Sequence, residues 1–342
     1  MKANQLDIRP TTILTGFLGA GKTTYLNHQL SQTPDTRYAI IENEYGEQSI
    51  DSELIMRAED DIVELNNGCL CCTLNDNLYD ILNKLYQRKD EYDQLIIEAT
   101  GVADPRGLAS PFLNNYAIKK QFPLSRIICL VDAERIEEQL RTTEEAIHQI
   151  TFSDVLLINK IELVSPKRLA AIEALLHRLN PLAQILTGSQ MNYPEIDSAM
   201  HNTDLDKGIF GQEEKSETDA FPVQIPHSHH HHDHTDGVTS HTLIFDRPFD
   251  YPKLHLRLLG FLKFQAQGLY RMKGFLWLQH SDQQHLLQSV GSRMSLDEKR
   301  PWALNESRES KIVIIGRNFQ KKSLEKMFTQ CFASQKDLIY EK

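Results

Sequence analysis

The most chemically specific segment of the sequence is rich in glycine and lies near its start. Residues 16–23 read Gly-Phe-Leu-Gly-Ala-Gly-Lys-Thr, which fits the pattern G-x-x-x-x-G-K-[ST]. An apolar predicted strand precedes the segment and a predicted helix follows it, the context in which such a loop surrounds phosphate groups. The lysine would neutralise phosphate charge, and the threonine hydroxyl would bind Mg²⁺. The candidate nucleotide-binding residues are Gly16, Gly19, Ala20, Gly21, Lys22, Thr23 and Thr24, with Lys22 also catalytic and Thr23 also a magnesium ligand.

A second candidate segment is an apolar run that ends in a carboxylate. It reads Leu-Ile-Ile-Glu-Ala-Thr-Gly from residue 95 to residue 101. We predict that Glu98 holds Mg²⁺ through water or orients the attacking water, and that Gly101 approaches the γ-phosphate. The alternative is that Glu98 simply ends a strand and has no catalytic role. The phosphate loop upstream argues against that alternative.

The segment Asn159-Lys160-Ile-Glu162 closes another apolar run and is similar to the Asn-Lys-x-Asp motif that reads guanine. In that motif the carboxylate accepts two N–H bonds from guanine, a pattern that adenine does not offer. Glu162 keeps the carboxylate but lengthens the arm by one methylene. We therefore predict a preference for guanine, with a surface Asn-Lys pair as the alternative.

Three cysteines within four positions, Cys69, Cys71 and Cys72, form a candidate metal site. Thiolates at the start of a helix have a lowered pKa and bind soft or borderline cations, of which zinc is the first expectation and cobalt, nickel or copper(I) are alternatives. Disulfide chemistry is the competing hypothesis, because such a cluster also exchanges disulfides. Cys129 and Cys331 lie in apolar runs and are predicted to be buried.

A histidine-rich tract contains seven of the 14 histidines, between His227 and His241. It is internal and irregular, and its composition suits weak, multivalent capture of zinc, nickel or cobalt. A solvated polar loop is the alternative interpretation. The weak auxiliary metal ligands predicted here are His229, His230, His231, His232 and His234.

The elements that must position these residues alternate in type over the first 190 residues. Short apolar runs alternate with helical stretches, a pattern that predicts a parallel sheet covered by helices. Helices are predicted at 22–32, 75–88 and 166–179. The predicted strands are 12–15, 38–42, 62–65, 95–99, 127–131, 155–159 and 184–187.

The sequence changes character after about residue 190. Residues 204–240 contain eight acids and two lysines, a net charge of −6, with no periodicity. Beyond them, strands are predicted at 242–245, 270–278, 285–290 and 311–315, and helices at 251–265 and 320–332. We therefore predict a P-loop domain over 1–200, an acidic histidine-rich linker over 201–240, and a small α+β domain with an antiparallel sheet over 241–342.

Composition excludes several classes of protein. The 342 residues carry 37 basic and 47 acidic side chains, a net charge of −10, which argues against a general nucleic-acid-binding protein. The longest apolar runs, such as 127–131, are far shorter than the ~20 residues of a membrane helix, and no signal peptide is apparent. Five cysteines, three of them clustered, do not form a secreted disulfide framework. A cytoplasmic protein is expected.

Taken in order, the motifs closely resemble those of the CobW-type GTPases, especially the YjiA-like branch. The matching segments include Arg300-Pro-Trp302, the phosphate loop, Asn159-Lys160, Glu42-Asn-Glu-Tyr-Gly-Glu47, Gly68-Cys-Leu-Cys-Cys72, Glu98-Ala-Thr-Gly-Val-Ala-Asp-Pro105 and Leu269-Tyr-Arg-Met-Lys-Gly-Phe-Leu-Trp277. The resemblance spans nearly the whole chain except the linker. It implies a P-loop NTPase fold with a mostly parallel sheet, followed by a smaller α+β domain of the CobW C-terminal type.

The resemblance also implies a function, that of a metal-binding GTPase acting as a metallochaperone or metal insertase. GTP, Mg²⁺ and Zn²⁺, with Co²⁺ or Ni²⁺ as alternatives, are the implied ligands, and a client metalloprotein is the implied partner. A homodimer that depends on nucleotide or metal is left open by analogy with related GTPases. The candidate ligands of the transferred metal are Cys69, Cys71, Cys72, Glu42 and Glu47.

The expected mechanism is a switch. GTP and Mg²⁺ would order residues 42–47 and the loop after Glu98, and hydrolysis would release both. Two competing hypotheses remain at this point. A P-loop kinase would use Lys22 and Thr23 on a second substrate, whereas a metal store or sensor would bind zinc with vestigial GTP turnover.

Overall fold

A computed structural model describes residues 8–42, 62–64, 74–189, 192–196, 237–304 and 306–334. Its first half is built on a seven-stranded sheet in which every neighbouring pair is parallel, as the sequence predicts. The strand order is β3-β2-β4-β1-β5-β6-β7. The strands are β1 (Thr11–Gly16), β2 (Tyr38–Glu42), β3 (Ile62–Glu64), β4 (Gln94–Glu98), β5 (Leu124–Asp132), β6 (Val155–Asn159) and β7 (Gln184–Thr187).

Helices cover both faces of this sheet. Their bounds are α1 (Lys22–Gln32), α2 (Leu74–Gln87), α3 (Pro105–Asn114), α4 (Tyr116–Gln121), α5 (Ile136–Thr142), α6 (Glu144–Phe152) and α7 (Pro166–Leu179). Adjacent residues of β1 show the two faces: Ile13 contacts the cluster that contains Leu82 and Phe112, whereas Leu14 contacts the cluster of Tyr25 and Leu26. Burying each such side chain stabilises the fold by about 1.5–3 kcal/mol, which is why these strands are apolar throughout.

A five-stranded antiparallel sheet forms the second half, in the order β11-β10-β9-β12-β8. The strands are β8 (Val238–Phe245), β9 (Leu269–Leu276), β10 (Gln283–Val290), β11 (Arg293–Pro301) and β12 (Ser310–Arg317), and the helices are α8 (Tyr251–Phe264) and α9 (Lys321–Thr329). The predicted α+β architecture is therefore confirmed.

Two details of that prediction were wrong. Strand β11 was missed because its residues are mostly polar, as suits the edge of a sheet, and a hairpin through Gly291 at φ 58° joins it to β10. Helix α9 ends at Thr329 rather than at residue 332, since Phe332 pairs with Phe249.

The two sheets meet through apolar and charged contacts. Ile312 of β12 joins the cluster of α8 and α9, whereas the next residue, Val313, joins the cluster of Ile147 in α6. At the same junction, Oδ1 of Asp154 lies 2.6 Å from Nη2 of Arg271 and 2.9 Å from Nζ of Lys273. In the described part of the chain, no helix is both long and apolar enough to cross a membrane.

Candidate functional site

The loop between β1 and α1 adopts a conformation that only glycine permits at its ends. Gly16 has a φ of 137°, and a Cβ there would lie 2.4 Å from the carbonyl oxygen of Leu130. Gly21 precedes α1 with a φ of 97°, and a Cβ there would lie 2.3 Å from the amide nitrogen of Asn159. The loop thus packs directly against β5 and β6. It leads into the N-terminus of a helix, a position at which phosphate groups bind readily.

Lys22 reaches back across this loop. Its Nζ donates to the carbonyl oxygen of Gly16 at 3.0 Å and to that of Phe17 at 3.5 Å. In loops of this sequence pattern the lysine binds the β- and γ-phosphates, and a phosphate oxygen is a stronger acceptor than either of these neutral carbonyl oxygens. Gly19 has a φ of 74°, Ala20 is buried within the loop and Thr24 is exposed on α1.

Thr23 at the start of α1 and Glu98 at the end of β4 come together because α1 follows β1, the strand next to β4. β1 and β4 pair in parallel, so that the first turn of α1 lies beside the carboxyl end of β4. The Thr23 hydroxyl donates to Oε1 of Glu98 at 3.1 Å. A hydroxyl and a carboxylate are oxygen ligands of the kind that Mg²⁺ takes, directly or through water, so the pair fits the predicted magnesium site.

Gly101 lies directly against the phosphate loop. It is buried, and a Cβ on it would lie 2.6 Å from the backbone nitrogen of Leu18. Any side chain at this position would push the two loops apart, which explains the glycine. The loop after Glu98 therefore touches the loop that would hold the phosphates.

The predicted base-reading residues lie at the carboxyl end of β6. Asn159 donates to the carbonyl oxygen of Ala20 at 2.9 Å and so ties this strand end to the phosphate loop. Lys160 adopts a left-handed conformation at φ 61°, and its Nζ lies 2.7 Å from Oδ2 of the buried Asp132. Glu162 is exposed in the turn Ile161–Leu163.

Two residues of this region were missed from the sequence. Asp132 anchors Lys160, and the hydroxyl of Tyr193 donates to Oδ1 of Asn159 at 3.3 Å. Burial raises the pKa of Tyr193, so the hydroxyl keeps its proton. Asp132 could have been found, because it is a carboxylate at the end of a buried strand, the pattern that identified Glu98. No sequence pattern identifies Tyr193, because it lies far along the chain from Asn159.

The proposed ligands of the transferred metal lie mostly outside the described residues. This holds for Cys69, Cys71, Cys72, Glu47 and His229, His230, His231, His232 and His234; for Glu42 the backbone alone is described, at the end of β2. Within the described ranges, no group of three or more His, Cys, Asp or Glu side chains is arranged to hold a metal ion. Cys129 and Cys331 are buried as predicted, and burial raises the pKa of the Cys129 thiol to about 12.

Together, the central phosphate loop, the Thr23–Glu98 pair and the Asn159-Lys160 segment define a P-loop nucleoside-triphosphate-binding protein. The chain belongs to the CobW/HypB/UreG family, since the family's nucleotide-binding domain matches residues 10–187 and the cobalamin synthesis protein CobW C-terminal domain matches residues 238–332. The family predicted from the motifs is therefore confirmed, and with it the class of enzyme, a P-loop GTPase.

Similar proteins cover most of the chain. The zinc chaperone YjiA of Escherichia coli K12 is 33% identical over 89% of this chain and 93% of its own length. The zinc-regulated GTPase metalloprotein activator 1 of Schizosaccharomyces pombe is 28% identical over 92% of this chain and 84% of its own. The crystal structure of Zn(II)-bound YjiA GTPase from E. coli superposes with a TM-score of 0.65 at 28% identity, covering 95% of this chain and 99% of that one.

Proposed function

We propose that this protein is a GTP-hydrolysing zinc chaperone that binds its metal at Cys69, Cys71 and Cys72 and delivers it to a client metalloprotein. Glu42 and Glu47 are the proposed additional ligands, and Co²⁺ or Ni²⁺ are alternative cargoes. The histidines of the tract around His229 to His234 collect metal weakly. The names of the similar proteins, zinc chaperone and zinc-regulated GTPase, support this proposal.

One structural observation carries the proposal. Glu42 ends β2 directly beside Glu98, with which it is paired in register, and Glu64 ends the adjacent strand β3. Neighbouring strands are ~4.8 Å apart. The other proposed ligands of the transferred metal, Glu47 and the three clustered cysteines, lie in the chain segments that follow β2 and β3. Both segments therefore begin at the carboxyl ends of the strands, on the same side of the sheet as the phosphate loop.

The chemistry at that edge follows from the residues present. Lys22 and the loop N–H groups bind the phosphates, and Thr23 and Glu98 would hold Mg²⁺, which supplies positive charge to the phosphate oxygens when bound. Glu98 lies where a carboxylate can orient a water molecule toward the γ-phosphate. Asn159, Lys160 and Glu162 read the base, and Gly101 brings its backbone to the γ-phosphate.

Metal delivery is coupled to this cycle through the segments that begin at Glu42 and after Glu98. GTP holds both near the γ-phosphate and hydrolysis releases both. If one state binds zinc more tightly, linkage requires zinc to change the affinity for nucleotide by the same factor.

The remaining parts of the proposal concern organisation and setting. Residues 1–200 are the proposed GTPase domain, followed by a linker that was predicted to end at residue 240; because β8 begins at Val238, the second domain begins there and not at residue 241. The protein acts in the cytoplasm on a client metalloprotein, without nucleic acid or membrane, and a homodimer formed with nucleotide or metal fits the same cycle. The reducing cytoplasm keeps the three clustered cysteines out of disulfides and so available as metal ligands.

The direct test is a zinc titration with GDP and with a non-hydrolysable GTP analogue. We expect the zinc affinities to differ by at least about fivefold, the lower end of typical coupling. Equal affinities would contradict coupled delivery. Transfer of the γ-phosphate to an acceptor other than water would identify a kinase instead.

Variants separate delivery from storage. Replacing Cys71 and Cys72 by serine should abolish tight zinc binding and client metallation, with Cys331→Ala as the matched control. Deleting residues 227–236 should lower only the weak metal capacity; the deletion stops short of His241, which lies in β8 and hydrogen-bonds the carbonyl oxygen of Phe319. Client metallation that survives loss of both cysteines would overturn delivery through them.

A further inference from the structure

The loop after Glu98 is held by a side chain that no sequence motif includes. Gln149 lies in α6 and is 1% exposed. Its Nε2 donates to the carbonyl oxygen of Gly101 at 3.1 Å and to that of Ala103 at 3.3 Å. An amide NH₂ group has two hydrogens, so one side chain satisfies both carbonyl groups of the loop.

This loop has further attachments on either side of the residues that Gln149 holds. Before them, the backbone N–H of Ala99 donates to the carbonyl oxygen of Leu14 in β1 at 2.8 Å. After them, Asp104 caps α3 by accepting from the backbone N–H of Arg106 at 2.9 Å. Between these two points Gly101 rests on the backbone of Leu18 in the phosphate loop. Gln149 therefore fixes the part of the loop that lies against the phosphate loop.

The other side of α6 contacts the second sheet. His148, the neighbour of Gln149, packs against Tyr270 in β9, with the ring centroids 5.1 Å apart and the ring planes tilted by 57°. Glu144, one turn earlier, pairs with Arg317 of β12 at 3.0 Å. One short helix thus contacts the phosphate-facing loop with one side chain and the second sheet with two others.

We propose that Gln149 is a positioning residue for GTP hydrolysis, and that α6 transmits the position of the loop to the second sheet. This proposal rests on the proposed GTPase function and extends it. Gln149 acts through the backbone of Gly101 and Ala103 and does not touch the reacting atoms. Misplacement of a reacting group by about 1 Å costs on the order of 10²-fold in rate, so two hydrogen bonds that set the loop position matter for turnover.

The variant Gln149→Met tests the role in positioning, because it keeps the length of the side chain and removes both donors. We expect kcat for GTP hydrolysis to fall about tenfold or more, and the affinity for a non-hydrolysable GTP analogue to fall as well. The affinity for GDP should stay within about twofold, since GDP has no γ-phosphate to contact the loop.

The chain offers a matched control in Asn180. This amide is also fully buried, and its Nδ2 also donates to two carbonyl oxygens at the end of α6, those of Ile150 at 2.8 Å and Ser153 at 2.9 Å. It lies away from the phosphate-facing loop. Asn180→Leu should lower the thermal stability as Gln149→Met does, while kcat and the affinities for both nucleotides stay within about twofold.

Amide hydrogen exchange of the wild-type protein tests transmission and does not depend on the folding of any variant. Replacing GDP by the GTP analogue should slow exchange about tenfold or more in residues 99–104, in α6 and in β9. Protection confined to the phosphate loop would overturn the proposal.

The outcomes separate this proposal from the proposed function. If the wild-type protein bound GTP without hydrolysing it, the GTPase function would fail. If the wild-type protein hydrolysed GTP and Gln149→Met behaved like Asn180→Leu, the function would stand and the role of Gln149 would be overturned.

Discussion

Two lysines of this protein lie in different settings, and their described hydrogen-bond acceptors differ in charge. Lys22 lies in the phosphate loop and donates to the neutral backbone carbonyl groups of Gly16 and Phe17. Lys273 lies at the junction of the two sheets, 4% exposed, and pairs with the carboxylate of Asp154. A phosphate oxygen is a stronger acceptor than a carbonyl oxygen, so phosphate can replace the carbonyl partners of Lys22. The buried Lys273 is already paired with a carboxylate, which phosphate would not replace.

The surrounding groups sharpen this difference. Asp154 also accepts from Arg271 at 2.6 Å and from the backbone N–H of Ile127 at 3.0 Å, so the junction is satisfied internally. Burial lowers the pKa of Lys273 to about 8, although Asp154 opposes that shift. The phosphate loop, by contrast, depends on the positive φ angles of Gly16, Gly19 and Gly21. The buried ion pairs of the junction therefore indicate a structural role, whereas the strand ends of the first sheet form the candidate nucleotide site.

Removing the carboxylate at the junction should produce the largest effect. Asp154→Ala leaves Arg271 and Lys273 buried without their shared partner, which costs about 3–5 kcal/mol in the free energy of unfolding. Urea denaturation followed by circular dichroism measures this loss. Nucleotide affinity at low temperature, where the variant is folded, should be unchanged; a loss of nucleotide binding with stability intact would reverse the roles given to the two regions.

Removing the lysine of the phosphate loop should have the converse effect. Lys22→Ala should lower the rate of GTP hydrolysis by about 10²–10³-fold, because it removes a charged donor from the transferring phosphate. The free energy of unfolding should change by less than ~1 kcal/mol, as for most partly exposed sites. Steady-state phosphate release and urea denaturation on the same preparation give both numbers. A stability loss as large as that of Asp154→Ala would make Lys22 structural.

A smaller effect is expected at the predicted base-reading carboxylate. Glu162→Ala should reduce the preference for GTP over ATP by a factor that corresponds to about 1.5–3 kcal/mol, the contribution of a hydrogen bond to a charged group. Competition of GTP and ATP for a fluorescent GDP analogue measures the preference. Glu173→Ala, a change in α7 at another acidic side chain, is the control. An unchanged preference would assign base reading to other residues.

The pH dependence of stability should also distinguish the two regions. Burial alone would raise the pKa of Asp154, but Lys273 and Arg271 outweigh it and hold the pKa below its ordinary range. In the unfolded chain an Asp carboxyl has a pKa of ~3.9. The contribution of ionised Asp154 to stability is therefore complete above that pH and is lost as the pH falls toward the pKa of the folded state.

The expected loss is about 1.4 kcal/mol for each pH unit in that window. Urea denaturation of the wild-type protein and of Asp154→Asn between about pH 2 and pH 5, a range that spans the window, measures it. The difference in stability between the two proteins should shrink on acidification; a constant difference would show that Asp154 does not titrate with folding.

Much of the site followed from the sequence because its chemistry is local. The phosphate loop needs a fixed spacing of glycines, lysine and threonine. Glu98 and Asn159 each end an apolar run, and the carboxyl ends of parallel strands lie on the same side of a sheet, so their common location was predictable. Strand β11 was missed because only Met294 and Leu296 alternate with polar residues before the charged run Asp-Glu-Lys-Arg, and the strand forms by pairing with β10. Gln149 was missed because an isolated amide on a helix predicts nothing about what it reaches.

The sequence by itself determined the class of protein, the parallel first sheet and which residues are candidates for binding nucleotide, because spacing and apolar periodicity act over a few residues. Only the tertiary structure decided that Asp132 holds Lys160, that Tyr193 supports Asn159, and that Gln149 holds the loop at Gly101. These contacts join residues from 28 to 48 positions apart. Contacts between residues so far apart in the sequence depend on how helices and loops pack on the sheet, and no local sequence pattern predicts that packing.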